Sequence, residues 1–440
     1  MTVQLSLLDF GVFVAYFLAL GALAWRASRA GSGTRRDYFL GGDKLPWWMI
    51  GGSIVAANIS SHHFVGVMGV AYHRGFVAVT GEWGAILIGF NALLWIFLPF
   101  YLRNGFYTMP EFLQRRYGGW ARGLFAGLIL LIYVFVEIAA VLYFGALALN
   151  TLIGVPVQGC VAIIAATTAV YTIAGGLRAV VWTEMLQLVV LLGGGLALTA
   201  ATLHAAGGWG AFLATSQDWD ILLPADDRDF PWTMLLGGSI CISVFYCAAN
   251  QFIVQRVLAA KSEWHARMGV VFTQYLKFLL PLVIVVPGLM GPALFPNLER
   301  PDLIFPTLVA NLLPSGLVGL VLAGLVAAVM SHVSGALNSS TTILTVDIYQ
   351  VLRPRATEEQ AVRFGRWACA VLAVIGMATA ELLTQHSKKP VFLYLLNAYG
   401  VVTPGMATMF LVGIFWKRAT QAGALTAGLL TIVLSVWFTI

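Results

Sequence analysis

The sequence predicts an all-α integral membrane protein with about twelve transmembrane helices. Three observations predict it. The 440 residues are 60% hydrophobic and only 10% charged, where a soluble domain carries about 25% charged residues. Apolar runs of about 20 residues, the length that crosses a bilayer, recur along the whole chain. Arg and Lys gather in alternate connections, the pattern of cytoplasmic loops.

The first run, 7–26, has no basic residue before it; Arg26, Arg29, Arg35 and Arg36 follow it. A secretory signal has the reverse order, so a spanning helix with its N-terminus outside is expected. Further spans fall near 46–73, 77–100, 121–150, 155–173, 184–205, 232–256, 270–295, 315–347, 363–385, 391–415 and 422–440. With this layout Arg74, Arg228, Arg300, Lys388 and Lys389 lie outside and Lys277 lies within a span. All other basic residues lie inside, including Arg115, Arg116, Arg122, Arg256, Lys261 and Arg267. That bias sets the orientation. It also accounts for the net charge of +6 without a nucleic-acid partner. The acidic outer loop 206–231, with Asp218, Asp220, Asp226, Asp227 and Asp229, reads as a solvated loop; attraction of cations to the mouth is the other reading. Cys160, Cys241, Cys247 and Cys369 sit in apolar segments without metal spacing.

The second span is interrupted by Asn58-Ile59-Ser60-Ser61-His62-His63. Backbone left unpaired at membrane depth must line a cavity or bind something. The stretch thus marks a binding site. Pro46-Trp47-Trp48-Met49 with Gly51-Gly52-Ser53 is echoed by Pro231-Trp232-Thr233-Met234 with Gly237-Gly238-Ser239, and each is followed by Ala-Ala-Asn, at 56–58 and 248–250. Five spans separate the two copies, the signature of an inverted repeat with the site where two broken helices meet.

Charged residues at mid-span persist when they pair or line water. Glu82, Glu137 and Lys277 are therefore expected to pair with one another or with a ligand, alongside Tyr246, Asn250 and Gln251 of the seventh span. His62 and His63 match no catalytic zinc spacing. One of them, His63, is expected to face the cavity. The hydroxyl-rich run Ser331 to Thr341 suits close helix packing or oxygen ligation of a hard cation. A nucleophile–base set for an enzyme, a polar face running the length of one helix for a channel, and a signalling domain for a sensor are not evident.

Together these stretches resemble the sodium:solute symporter family, in particular its sodium/glucose-cotransporter-like branch. The likeness rests on Asp37-Tyr38-Phe39-Leu40-Gly41-Gly42, Ala56-Ala57-Asn58-Ile59-Ser60, Glu82-Trp83, Thr108-Met109-Pro110-Glu111-Phe112-Leu113, Tyr171 to Leu177, Asn250 to Arg256, Leu337-Asn338-Ser339 and Asp347-Ile348-Tyr349. It implies the leucine-transporter-type inverted repeat of five plus five helices. Repeat 1 would span 46–205 and repeat 2 would span 232–415. An extra helix and basic loop at 1–36 would precede them and another helix at 422–440 would follow. It implies a secondary transporter of the plasma (inner) membrane, coupling Na⁺ to uptake of a small polar solute, a sugar or polyol, by alternating access.

The resemblance places Na⁺ at the carbonyls of Ala56, Ile59 and Ala328 and the hydroxyl of Ser331. His332 stands where a second hydroxyl is usual. The solute falls to His63, Glu82, Asn250 and Lys277, with Asn58 beside them and Tyr246 as inner cap. Glu137 replaces a neutral or basic group, Leu396 a Gln and Cys247 a Trp. These departures leave open an amino acid, amine or carboxylate as solute, and through His332 proton coupling or weak coupling. Glu184 resembles an acid that assists a second cation site in some members; as an interfacial helix cap it has a plainer role.

Overall fold

A computed structural model describes residues 5–29, 34–42, 44–214, 219–236, 238–386 and 391–439. Leu7–Arg29 forms α1. Its Asp9 is buried in spite of its charge. Asp9 Oδ1 accepts the backbone N–H groups of Gly316 (2.7 Å) and Gly319 (2.8 Å), at the start of a helix far along the chain. The first N–H groups of a helix have no partner within it and carry partial positive charge, so the carboxylate caps that end.

The second span breaks as expected. Trp47–Asn58 (α2) ends where Ile59 turns extended (φ −77, ψ 125). Residues 63–74 (α3) resume the path, and residues 75–104 (α4) return after Gly75 at φ +77. Gly119–Ile153 (α5) follows. Val157–Ala205 is continuous except at Gly176 (φ 55, ψ −150), which divides it into 157–175 (α6) and 177–205 (α7). A Cβ at 176 would lie 2.2 Å from the Tyr38 carbonyl oxygen, so both the turn and the approach require glycine there. The seventh span is also broken: 238–249 (α8) and Gln251–Leu258 (α9) flank an extended Asn250 (φ −79, ψ 121).

Glu263–Leu294 (α10), Leu317–Leu352 (α11), Glu358–His386 (α12), Val391–Phe415 (α13) and Gln421–Thr439 (α14) complete the chain. Nine helices among the described residues are long and apolar enough to cross a membrane unaided. The turns at Gly75 and Gly176 divide two of these. Since α2 and α3 form one interrupted pass and α14 adds another, the described residues make the expected twelve passes. Both Ala-Ala-Asn triplets, 56–58 and 248–250, sit where the two helices unwind.

The broken helix α2 packs closely on α10. A Cβ at Gly51 would fall 2.7 Å from the Gly269 carbonyl, and one at Gly269 2.6 Å from Ile50. Small residues bring helices together in this way where lipid removes the hydrophobic drive. Two expectations are corrected. Arg256 is not in a cytoplasmic loop but fully buried in α9. Glu184 is not an interfacial cap: it is buried in α7, paired with Arg256, whose Nε also reaches Ser53 Oγ of α2 at 2.7 Å. In the outer loop, Asp227 accepts the N–H groups of Phe230 and Asp229 and pairs with Arg74. Those backbone donors, with Arg74 after them, hold its carboxyl below the usual range.

Candidate functional site

Asn58, the last residue of α2, is 6% exposed. Its Oδ1 accepts from Lys277 Nζ of α10. The same ammonium pairs with Glu82 Oε2 of α4 at 2.6 Å. The other Glu82 oxygen meets His63 Nε2 at 2.9 Å. Four residues of α2, α3, α4 and α10 therefore form one buried network beside the first break. His63 Nδ1 accepts the backbone N–H of Ser60 at 3.1 Å. A backbone N–H only donates, so His63 is the tautomer with its proton on Nε2, and it donates to Glu82. His62 is not idle: its Nδ1 lies 2.5 Å from Ser60 Oγ and its ring 3.9 Å from that of His63.

The break has a second consequence. In an unbroken helix the N–H of Ser60 would close on the carbonyl of Ala56, four residues back. Diverted to His63, it leaves that carbonyl open. Ser331 Oγ of α11 donates to Ala56 O at 2.7 Å and to Ala328 O at 3.1 Å. Three of the four residues expected around the cation thus share one point between α2 and α11. Their donors are all oxygen, the set a hard cation takes. Ile59 lies fully buried at the same break.

At the second break Asn250 Oδ1 caps α9 by accepting the N–H of Phe252 at 3.0 Å. The same oxygen accepts from Tyr133 of α5. Tyr133 was not singled out in the sequence. Its signal was there: it stands four residues before Glu137, on one face of the same helix. Tyr246 is half-buried, its ring 6.4 Å from that of Tyr399.

Glu137 does not reach Lys277. Its Oε2 lies 2.5 Å from His332 Nε2 of α11. A departure at the solute site, Glu137, therefore meets the departure at the cation site, His332. Ser331 and His332 are adjacent, about 100° apart around the helix, and serve different clusters. The His332 ring also packs 5.1 Å from Phe252. Leu396 lies outside the residues whose side chains are described.

Two interrupted helices holding polar groups and open carbonyls at half depth define a helical membrane carrier. A model of the sodium:solute symporter family matches residues 38–431. The sodium/glucose cotransporter of Vibrio parahaemolyticus is 33% identical over 455 residues, covering 96% of this chain and 82% of that protein. The human sodium/myo-inositol cotransporter is 33% identical over 484 residues, covering 99% and 67%. The chain belongs to the sodium:solute symporter family. It is accordingly a multi-pass secondary transporter coupled to Na⁺, not an enzyme. The fold is shared with a Na⁺-coupled sialic acid symporter in a substrate-bound outward-open state (TM-score 0.89, 24% identity, 98% of this chain and 91% of the other). It is shared more distantly with a nucleobase-cation-symport-1 family transporter in a closed conformation (TM-score 0.57, 14% identity, 90% and 93%). Both show the leucine-transporter-type architecture.

Proposed function

We propose that this chain carries a sugar or polyol together with Na⁺ into the cell across the plasma membrane, its N-terminus outside. The observation that carries the reading is the Glu82–Lys277–Asn58–His63 network beside the unwound backbone. It supplies directional donors and acceptors in a dry setting, which a polyhydroxylated solute needs. Asn250 and Tyr246 at the second break, and Glu137 from α5, complete the solute site. Na⁺ sits at the carbonyls of Ala56, Ile59 and Ala328 and the hydroxyl of Ser331. The kinship with glucose and myo-inositol cotransporters supports the solute class. The two repeats are 46–205 and 232–415.

In this mechanism Na⁺ enters from outside and bridges α2 and α11, which favours the outward-open state. Solute then binds, the outer side closes and the inner side opens. Coupling requires that Na⁺ bind one state better than the other. The test is uptake of labelled D-glucose and myo-inositol into proteoliposomes under an inward NaCl gradient, with choline chloride as control. Saturable uptake of one of them that needs NaCl is expected. Uptake of neither sinks the solute class.

A second reading has one observation behind it. The Glu137–His332 pair sets an acid against an imidazole one residue from Ser331, which suits a solute carrying an amine or coupling to protons. Uptake that follows a pH gradient in choline would favour it.

A further inference from the structure

We propose that His63 couples the solute site to the cation site by keeping the Ala56 carbonyl open. The inference rests on the assignment of Ala56 as a cation ligand. Its geometry is a chain of four groups. Glu82 accepts from His63 Nε2 at 2.9 Å. His63 Nδ1 accepts the Ser60 N–H at 3.1 Å. The Ser60 N–H is the one that would otherwise close on Ala56 O. Ala56 O instead faces Ser331 Oγ at 2.7 Å. Ser60 and Ala56 are both fully buried, so no bulk water stands ready to satisfy either group.

Without the imidazole, the Ser60 N–H is left as a buried donor. Such a group finds a partner or costs stability. The partner that continues the helical ladder, after Ile59 N–H to Val55 O, is the Ala56 carbonyl. Taking it would extend α2 by one residue and withdraw an oxygen from the cation. His63 is thus a positioning residue for the ion as well as a solute-facing one. Solute drawn to Glu82 and His63 pulls on the same lever, and Na⁺ held at Ala56 favours the unwound form that presents His63 correctly. By linkage each ligand then raises the affinity for the other.

Helical backbone resumes at Ser61, so Ser60 is the N-cap and His63 the third helical position; a side chain there reaching back to the N-cap N–H is the arrangement that Gln or Glu performs in a capping box. This gives a rescue. The experiment measures the Na⁺ midpoint for thermal stabilisation of the full chain in detergent, NaCl replacing choline chloride at constant ionic strength, with no solute present. His63→Ala is expected to raise the midpoint at least tenfold. His63→Gln, which restores an acceptor for Ser60 but not the reach to Glu82, is expected to return it to within about threefold of wild type. Ser331→Ala is the control for the ion site and should also raise it. A shift with Ser331→Ala but none with His63→Ala overturns the coupling alone. No shift with Ser331→Ala removes the ion site, and the inference with it. If His63→Ala does not purify as a single species, His63→Leu and His63→Gln are compared: equal midpoints for the two overturn the proposal, and a higher midpoint for Leu supports it.

Discussion

Lys277 is 2% exposed, and its ammonium has two oxygens to answer it, Glu82 Oε2 and Asn58 Oδ1. A buried ion pair adds little over well-packed apolar groups, but removing one member strands the other at a cost of about 3–5 kcal/mol. Lys277→Ala is therefore expected to lose both uptake and thermal stability. The pair Glu82→Gln with Lys277→Met removes both charges and should recover most of the melting temperature and none of the uptake. A Lys277→Ala protein that melts like wild type would show that Glu82 has other support. The Glu137–His332 contact calls for a different comparison. Both residues are buried, on α5 and α11, and one holds the other. His332→Ala and Glu137→Ala should raise the solute KM by similar factors, about tenfold or 1.4 kcal/mol. The double variant should be no worse than either, because partners in one contact are not additive. Additive losses would mean that the two act separately.

At the scale of elements, the chain turns where glycine allows it. Gly176 combines φ +55 with a backbone oxygen 2.2 Å from where a Cβ would sit. Backbone at φ 55, ψ −150 is adopted essentially by glycine alone and costs another residue about 1–3 kcal/mol, and here the added methyl would also meet backbone that cannot swing aside. Gly176→Ala should lower the melting temperature by more than that backbone term alone, whereas Gly123→Ala, in a helix with open space around it, should leave it unchanged or raise it slightly. Much of this layer was legible in the sequence. The apolar runs marked the passes, and the Ala-Ala-Asn triplets marked both breaks. What was not legible was long-range pairing. Helical periodicity places Glu137 and His332 on faces but cannot say that those faces meet across 195 residues. Arg256 was read as one more cytoplasmic charge because loop counting assumes that basic residues near a span end face water. Its partner Glu184 lies 72 residues earlier in another helix, and only the packed structure shows that each neutralises the other.

For the whole molecule, the division of the contacts matters more than any one of them. The Glu82–Lys277–Asn58–His63 network joins α2, α3, α4 and α10, and α2 and α10 also pack closely through Gly51 and Gly269. The Glu137–His332 pair lies wholly within α5 and α11. The cation cluster crosses between these groups, with Ala56 on one and Ala328 and Ser331 on the other, and close by Ser61 Oγ of the same break donates to the Val141 carbonyl of α5. An ion there is held by both groups at once, which is the arrangement needed if Na⁺ is to have unequal affinity for their relative positions. Such a device moves net charge when the solute is neutral. Inside-negative potential then contributes about 2.3 kcal/mol per charge per 100 mV, or about fiftyfold in the limiting accumulation ratio at that potential. In proteoliposomes clamped by a potassium diffusion potential, Na⁺-driven accumulation of a neutral solute should rise steeply as the interior is made negative. An accumulation indifferent to potential but responsive to an imposed pH gradient would mean that a proton leaves as Na⁺ enters, and that the acid–imidazole pair beside Ser331, rather than the open carbonyls alone, sets the coupling.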